Sequence, residues 1–253
     1  DGYDENSLSG IEEVIAALKE ARVTVYTVAI GGVAGVSLKG EKVLRRLAAE
    51  TGGRIFLPST EPQLELVHTA LVEEVRNRYL LTYTPTNQNH DGKWRQITVQ
   101  LPDPTYHIAA RRGYFAPKAA PVRPTIEFTA TDPQGAYLSI SADDLEVIED
   151  DVPQHVETFH EATQPLSIVL ALDASGSMRR READVIASAR AFVAALRPED
   201  KVGVMLFADD VTLVQDLTTD RPASNQAIDG YTTGGGTALY DAVSAALSRL
   251  ERT

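Results

Sequence analysis

The apolar run at residues 166–172 passes directly into Asp173-Ala174-Ser175-Gly176-Ser177. A short apolar run of this kind suits a buried strand. The Asp-Ala-Ser-Gly-Ser turn then lies at the carboxyl end of a buried parallel strand, where open α/β sheets bind their ligands. One carboxylate and two hydroxyls at alternate positions of a turn direct oxygen atoms to one place. Hard divalent cations take oxygen ligands, and Mg²⁺ keeps several waters with only one or two carboxylates. These residue types therefore suit a sparse Mg²⁺ site. A second element, Gly234-Gly235-Gly236-Thr237, opens a helix. Its glycines allow close backbone approach, and Thr237 offers another hydroxyl. The alternative is plain helix capping, for which Ser177 and Thr237 are equally suited.

Elsewhere the chain changes character twice. Residues 9–22, 41–49 and 63–78 carry helical apolar spacing, and residues 23–30 and 54–57 read as strands between them. From residue 79 to 160 the signals are strands: 79–83, 94–101, 106–114, 125–131, 145–149 and 155–160. Residues 116–124, rich in Pro and Ala, form the best linker candidate. From residue 166 the alternation of strand and helix returns, with strands at 166–172, 202–207 and 211–217 and helices at 181–196 and 237–250.

Composition removes several classes of function. With no cysteine among its 253 residues, the chain has neither a disulfide framework nor a thiolate metal site. No apolar run reaches the ~18 residues of a membrane span. A net charge of −12 argues against nucleic-acid binding, which needs clustered Lys and Arg. Arg111-Arg112 and Arg179-Arg180-Arg181 are too short to change that. Ser175 and Ser177 have no His in a nearby motif, and Gly-x-Ser-x-Gly is absent, so nucleophilic hydrolysis lacks support. The glycine-rich loop lacks the Lys of a phosphate-binding loop.

The Asp-x-Ser-x-Ser turn and the glycine-rich loop ending in Thr resemble the von Willebrand factor type A domain with its metal-ion-dependent adhesion site. Asp173, Ser175 and Ser177 match the family's first motif and Thr237 its second. Asp1-Gly2 is similar to the third, an Asp-Gly at the end of a strand, here without that strand. The resemblance implies direct contacts to Mg²⁺ (or Mn²⁺ or Ca²⁺) from Ser175, Ser177 and Thr237. It implies that Asp173 and Asp1 act largely through water, and that an Asp or Glu carboxylate of a partner protein completes the metal shell. It also implies a doubly wound, mostly parallel α/β sheet with helices on both faces, here joined to a small β module.

The flanking segments are similar to those of a bacterial subgroup of secreted proteins with this domain. They are residues 143–150, 78–83, 91–95 and Arg111-Arg112-Gly113-Tyr114-Phe115. This implies a secreted or cell-envelope location. In that subgroup the 143–150 segment precedes the α/β domain and the Arg-Gly-Tyr segment follows it. Here the order is inverted. Residues 1–78 correspond to a C-terminal half, 79–160 to a β-rich module, and 161–253 to an N-terminal half carrying the metal motif. A window from a tandem array and a circular permutant both fit this order.

Around the metal motif, Asp241 lies one turn after Thr237 and suits a role behind the metal ligands, or a helix-start charge. Asp4 and Gly236 are candidates for the rim, with Glu5 and Asn6 beside Asp4. Asp209 and Asp210 read as a hairpin turn that can approach the same face. The expected function is non-enzymatic: a metal-dependent, adhesion-type protein-binding module. The alternative is a structural or assembly component of a bacterial cell envelope with a vestigial metal site. A metal-dependent hydrolase would need Asp241 or Asp1 as general base.

Overall fold

The computed structural model describes residues 4–30, 38–118 and 123–252. Asp1, the Gly31-Gly32 pair and the centre of the expected linker lie outside them. The chain begins with α1 (Ile11–Ala21), β1 (Thr27–Val28), α2 (Leu38–Thr51), β2 (Ile55–Phe56) and α3 (Glu61–Arg76). In α1 the apolar positions Val14, Ile15 and Leu18 share one buried face, and Glu12 and Glu13 lie in the first turn, where the helix dipole favours acids. Thr60 caps α3 by accepting from the Gln63 amide. β1 and β2 pair in parallel through Thr27–Ile55 and Val28–Phe56. The strand expected over 23–30 is thus reduced to two paired residues, because β2 alone supplies a ladder partner among the described residues.

A β-sandwich follows. Its strands are β3 (Tyr79–Tyr83), β4 (Trp94–Gln100), β5 (His107–Ala110), β6 (Gly113–Phe115), β7 (Thr125–Thr131), β8 (Glu146–Glu149), β9 (Val152–Gln154) and β10 (Val156–Glu161). They form two antiparallel sheets, β10-β3-β7-β5 and β6-β4-β8-β9. Alternation in β3 and β4 sends Leu81, Tyr83, Ile97 and Val99 into one core with Ile126, Phe128 and Val147. Buried Glu149 accepts from the Tyr83 and Tyr114 hydroxyls at 2.6 and 3.0 Å, which satisfies one oxygen of a carboxylate inside that core. The single strand expected at 106–114 is two strands in different sheets. The chain crosses between them at Arg111-Arg112, and at Gly113 a Cβ would sit 2.0 Å from the Arg95 carbonyl oxygen.

The last part comprises β11 (Ser167–Asp173), α4 (Glu182–Ala195), β12 (Lys201–Phe207), β13 (Val211–Thr218), α5 (Arg221–Asp229) and α6 (Leu239–Leu250). β11 and β12 run parallel from Ser167–Lys201 to Asp173–Phe207, and β13 returns antiparallel to β12. Helix α5 has no counterpart in the apolar spacing of the sequence. It starts because Asp220 caps the Ala223 amide at 3.1 Å and Pro222 sits in the first turn.

The fold class is mixed α/β. Against the expectation of one mostly parallel sheet, parallel pairing among the described strands is confined to β1–β2 and β11–β12. The remaining ladders are antiparallel, and β11 ends its three-stranded sheet. The β-rich part, with eight strands in two layers, is larger than a small module.

The two α/β segments, distant in sequence, nevertheless share cores. Val14, Ile15 and Leu18 of α1 cluster with Phe207 and with Leu239, Ala242 and Leu247 of α6. Val72 of α3 clusters with Phe192 and Val193 of α4, and the Arg76 guanidinium donates to the Ala195 carbonyl at 2.5 Å.

Candidate metal centre

Parallel pairing of β11 with β12 brings Asp173 level with Phe207 at one end of the sheet. The ladder extends by one bond, from the Ala174 amide to the Phe207 carbonyl at 2.8 Å, and the chain then turns. The Ser175 amide donates to Asp173 Oδ1 at 2.9 Å, so the turn is closed by the carboxylate itself. The Ser175 and Ser177 hydroxyl oxygens are 2.9 Å apart. Beneath them the Tyr231 hydroxyl donates to the Asp173 carbonyl. Burial, and next the Asp173 carboxylate, raise the pKa of that phenol well above the ordinary tyrosine range, so it stays protonated and donating.

The glycine-rich loop docks on this turn by two backbone bonds. The Gly176 amide donates to the Gly235 carbonyl at 3.0 Å, and the Gly234 amide to the Ala174 carbonyl at 2.8 Å. Thr237, which ends the loop, and Ser175 are both buried. Asp209 holds the loop from the other side: its Oδ1 accepts from the Gly236 amide and from Asn6 Nδ2, both at 2.7 Å. Gly235 has φ +74°, and a Cβ there would lie 2.2 Å from Asp209 Oδ2. Both the left-handed backbone and the close carboxylate require glycine at this position.

The segment at residues 4–9 ties itself to the same place. The Thr237 carbonyl accepts from the Glu5 and Asn6 amides at 2.8 and 3.2 Å. Asp4 Oδ1 accepts from the Ser7 hydroxyl and the Tyr240 amide. Asp241 accepts from the Leu8 and Ser9 amides, both at 2.9 Å. Burial raises the Asp241 pKa, but those amide bonds outweigh it and leave it below the ordinary aspartate value. A carboxyl depressed in this way stabilises the fold fully above the ordinary aspartate range, and that contribution is lost as pH falls below it.

Residues 168–253 match the family model described as von Willebrand factor type A domain. The match spans the Asp-Ala-Ser-Gly-Ser turn, the glycine-rich loop and the elements from β11 to α6. Among solved structures, the chain is similar to an uncharacterized membrane-spanning protein from Vibrio fischeri, at 23% identity over 35% of this chain and 50% of that one, TM-score 0.34. It is similar to an uncharacterized protein from Alicyclobacillus acidocaldarius, at 25% identity over 35% of this chain and 41% of that one, TM-score 0.31. A third is the type V pili tip protein Mfa5 from Porphyromonas gingivalis, at 15% identity over 65% of this chain and 25% of its three N-terminal domains, TM-score 0.34. The chain thus spans half or less of each of these structures. No curated protein matches the chain.

Within the type A segment, the sequence-predicted residues Asp173, Ser175 and Ser177 share one turn, and backbone bonds join that turn to the loop carrying Gly236 and Thr237. Asp4 and Asp241 lie beside Thr237, where they bind backbone amides and a hydroxyl that hold the 4–9 segment. Asp1 is outside the described residues. No helix among the described residues is long and apolar enough to cross a membrane.

Cis ligands of an octahedral Mg²⁺, each ~2.0–2.1 Å from the metal, lie about 2.8–3.0 Å apart. The Ser175 and Ser177 oxygens have that separation. No cluster of three or more His, Asp or Glu side chains fit to hold a metal occurs among the described residues. Hydroxyls with a single carboxylate are therefore the donors on offer, and these fit Mg²⁺, which retains water, better than an ion that needs a full protein cage.

In the sequence Asp209 reads only as part of a hairpin turn that can approach this face. Its clamp on the glycine loop was hidden because it depends on where three distant segments meet. One signal was available: β11 and β12 are parallel, so residues just past Phe207 emerge at the same sheet end as Asp173. Asp209→Ala removes a charge-assisted bond worth about 1.5–3 kcal/mol. Amide exchange at Gly236 should then accelerate by on the order of 10-fold or more while exchange within β12 stays unchanged. Unaltered exchange at Gly236 would show that the clamp is not populated in solution.

Proposed function

We propose that the type A segment is a non-enzymatic, metal-dependent protein-binding module. Asp173, Ser175, Ser177 and Thr237 hold Mg²⁺, with Mn²⁺ or Ca²⁺ as substitutes, and Asp1 is a further acidic ligand. The observation that carries this reading is the 2.9 Å spacing of the two serine hydroxyls beside the Asp173 carboxylate, facing a glycine loop that is itself clamped. Bound metal supplies a local positive charge able to accept an Asp or Glu carboxylate of a partner. In a chain of net charge −12 an acidic partner is otherwise repelled, so binding should require the ion. The residues of this chain position and desolvate: the buried Tyr231 fixes the backbone at Asp173, and Asp209 fixes the loop before Thr237.

The 1–78 and 161–253 segments are proposed to act as the two halves of one α/β unit, with the two parallel strand pairs belonging to one doubly wound arrangement. Their shared cores support this. The β-sandwich would brace or present the unit, in a secreted or envelope-attached bacterial protein.

Titration with MgCl₂ followed by amide NMR tests the metal reading. Saturable shifts should appear at residues 175–177 and 234–238 at millimolar Mg²⁺ and reverse with chelator. Acetate, a minimal carboxylate, should perturb the same amides only when Mg²⁺ is present. Absence of any saturable Mg²⁺ response would overturn the proposal and leave a structural role resting on the β-sandwich.

A further inference from the structure

A cleft of about 260 Å³ separates the end of α1 from the β-sandwich, lined by Lys19, Arg22, Glu50, Arg111, Thr125 and Glu127 among others. Its charges are unevenly matched. Glu50 is shared by Lys19 at 2.5 Å and Arg112 at 3.7 Å, and Glu127 pairs with Arg78. Both carboxylates are therefore committed. Arg22, the exposed left-handed residue that closes α1 (φ 60°), donates its amide to the Leu18 carbonyl, while its guanidinium has no hydrogen bond or ion pair among the described residues. Arg111 spends Nη2 on the Thr125 carbonyl at 2.5 Å, and its Nε is buried without a partner. Burial, and next the positive charge of Arg22, bring the pKa of Arg111 down to about 10.

The unpartnered Arg111 Nε is costly, since a buried donor forfeits water and gains nothing in exchange, and exposed Arg22 adds a second positive charge to the same cleft. In a chain of net charge −12 it is also the reverse of the average field. Backbone packing holds Arg111 there, because α2 ends against it: a Cβ on Gly52 (φ +84°) would lie 2.5 Å from the Arg111 nitrogen. We propose that this cleft is an anion site that takes a doubly charged oxyanion of the phosphate class, gripped between Arg22 and Arg111. A tetrahedral dianion can accept from guanidiniums on two walls at once, which suits this arrangement better than a single carboxylate. The site is separate from the metal centre and does not depend on it.

Inorganic phosphate, titrated into the whole chain at low ionic strength and followed by amide NMR, tests the assignment against NaCl of equal ionic strength. Saturable shifts are expected at residues 22–24, 51–53 and 111–113, with none from NaCl. Arg22→Gln, an exposed position that leaves the core untouched, should weaken phosphate binding at least 5-fold. Arg111→Gln should do so more strongly if it folds, and Arg179→Gln, outside the cleft, should not. Equal binding of glycerol phosphate would assign the site to phosphoryl groups carried on larger molecules, and binding of inorganic phosphate alone would assign it to the free ion. Non-saturable shifts, a response equal to that of NaCl, or wild-type affinity in Arg22→Gln would overturn the proposal.

Discussion

Asp173→Ala is expected to abolish the Mg²⁺ response while leaving the far-ultraviolet circular dichroism unchanged. The carboxylate closes the turn through the Ser175 amide and brings the negative charge that two hydroxyls lack. Losing groups that act on a metal from behind its direct ligands costs 10- to 100-fold in affinity, so loss of Asp173, which is expected to act largely through water, should cost at least ~10-fold and take binding out of the millimolar range. Asp173→Asn separates its two roles. It keeps an acceptor for the Ser175 amide but removes the charge, so the turn should persist and Mg²⁺ should still fail to bind. Thermal unfolding with and without MgCl₂ provides the readout, because a ligand specific for the folded state raises the transition temperature. An Mg²⁺-dependent upward shift that survives in Asp173→Ala would place the ion elsewhere.

Leu18→Ala should lower stability by about 2–5 kcal/mol, the usual cost of emptying a fully buried leucine site. Leu18 is 1% exposed and lies in the cluster that joins α1 to Phe207 and to α6. Its informative consequence is where the loss is felt. If residues 1–78 and 161–253 form one cooperative unit, melting of β11 and β12 must shift together with α1. At roughly 2–4 °C per kcal/mol for a chain of this size, the shift is about 4–20 °C. Hydrogen exchange at β12 amides, measured in parallel, distinguishes this from local fraying. Unchanged protection at β12 in the variant would mean that the two segments are energetically independent.

Much of the candidate metal centre is legible in the sequence, for a local reason. Asp173, Ser175 and Ser177 fall within five consecutive residues after an apolar run, and a turn of that composition arranges its own oxygens. Thr237 was legible because its glycines announce a close backbone approach. The supporting contacts were not legible in the same way. Asp241 carries a charge one turn after Thr237, and sequence spacing cannot tell a group behind the metal from one that binds the Leu8 and Ser9 amides. Asp209 lies in a turn whose residue types say only that the chain reverses. Its contact with Gly236 and Asn6 joins three segments, and no window of sequence contains all three.

The fold divides along similar lines. Period-two alternation exposed β3 and β4, and helical spacing exposed α1, since each pattern reflects one buried face. The 106–114 segment misled because its composition favours extended backbone throughout, whereas the break at Arg111-Arg112 is set by which sheet each half joins. Helix α5 was silent because its start depends on the Asp220 cap and its apolar face is short.

The sequence by itself determined the type A motif, the absence of thiol chemistry, the acidic charge and the succession of α/β, β and α/β segments. These follow from residue types and spacings within a few turns of chain. Only the tertiary structure decided that α1 packs on α6, that Asp209 clamps the glycine loop, and that Arg22 and Arg111 face one cleft without a carboxylate to spare. Those are contacts between residues far apart in the chain, and their energies come from shared burial and paired charge, which no local pattern encodes.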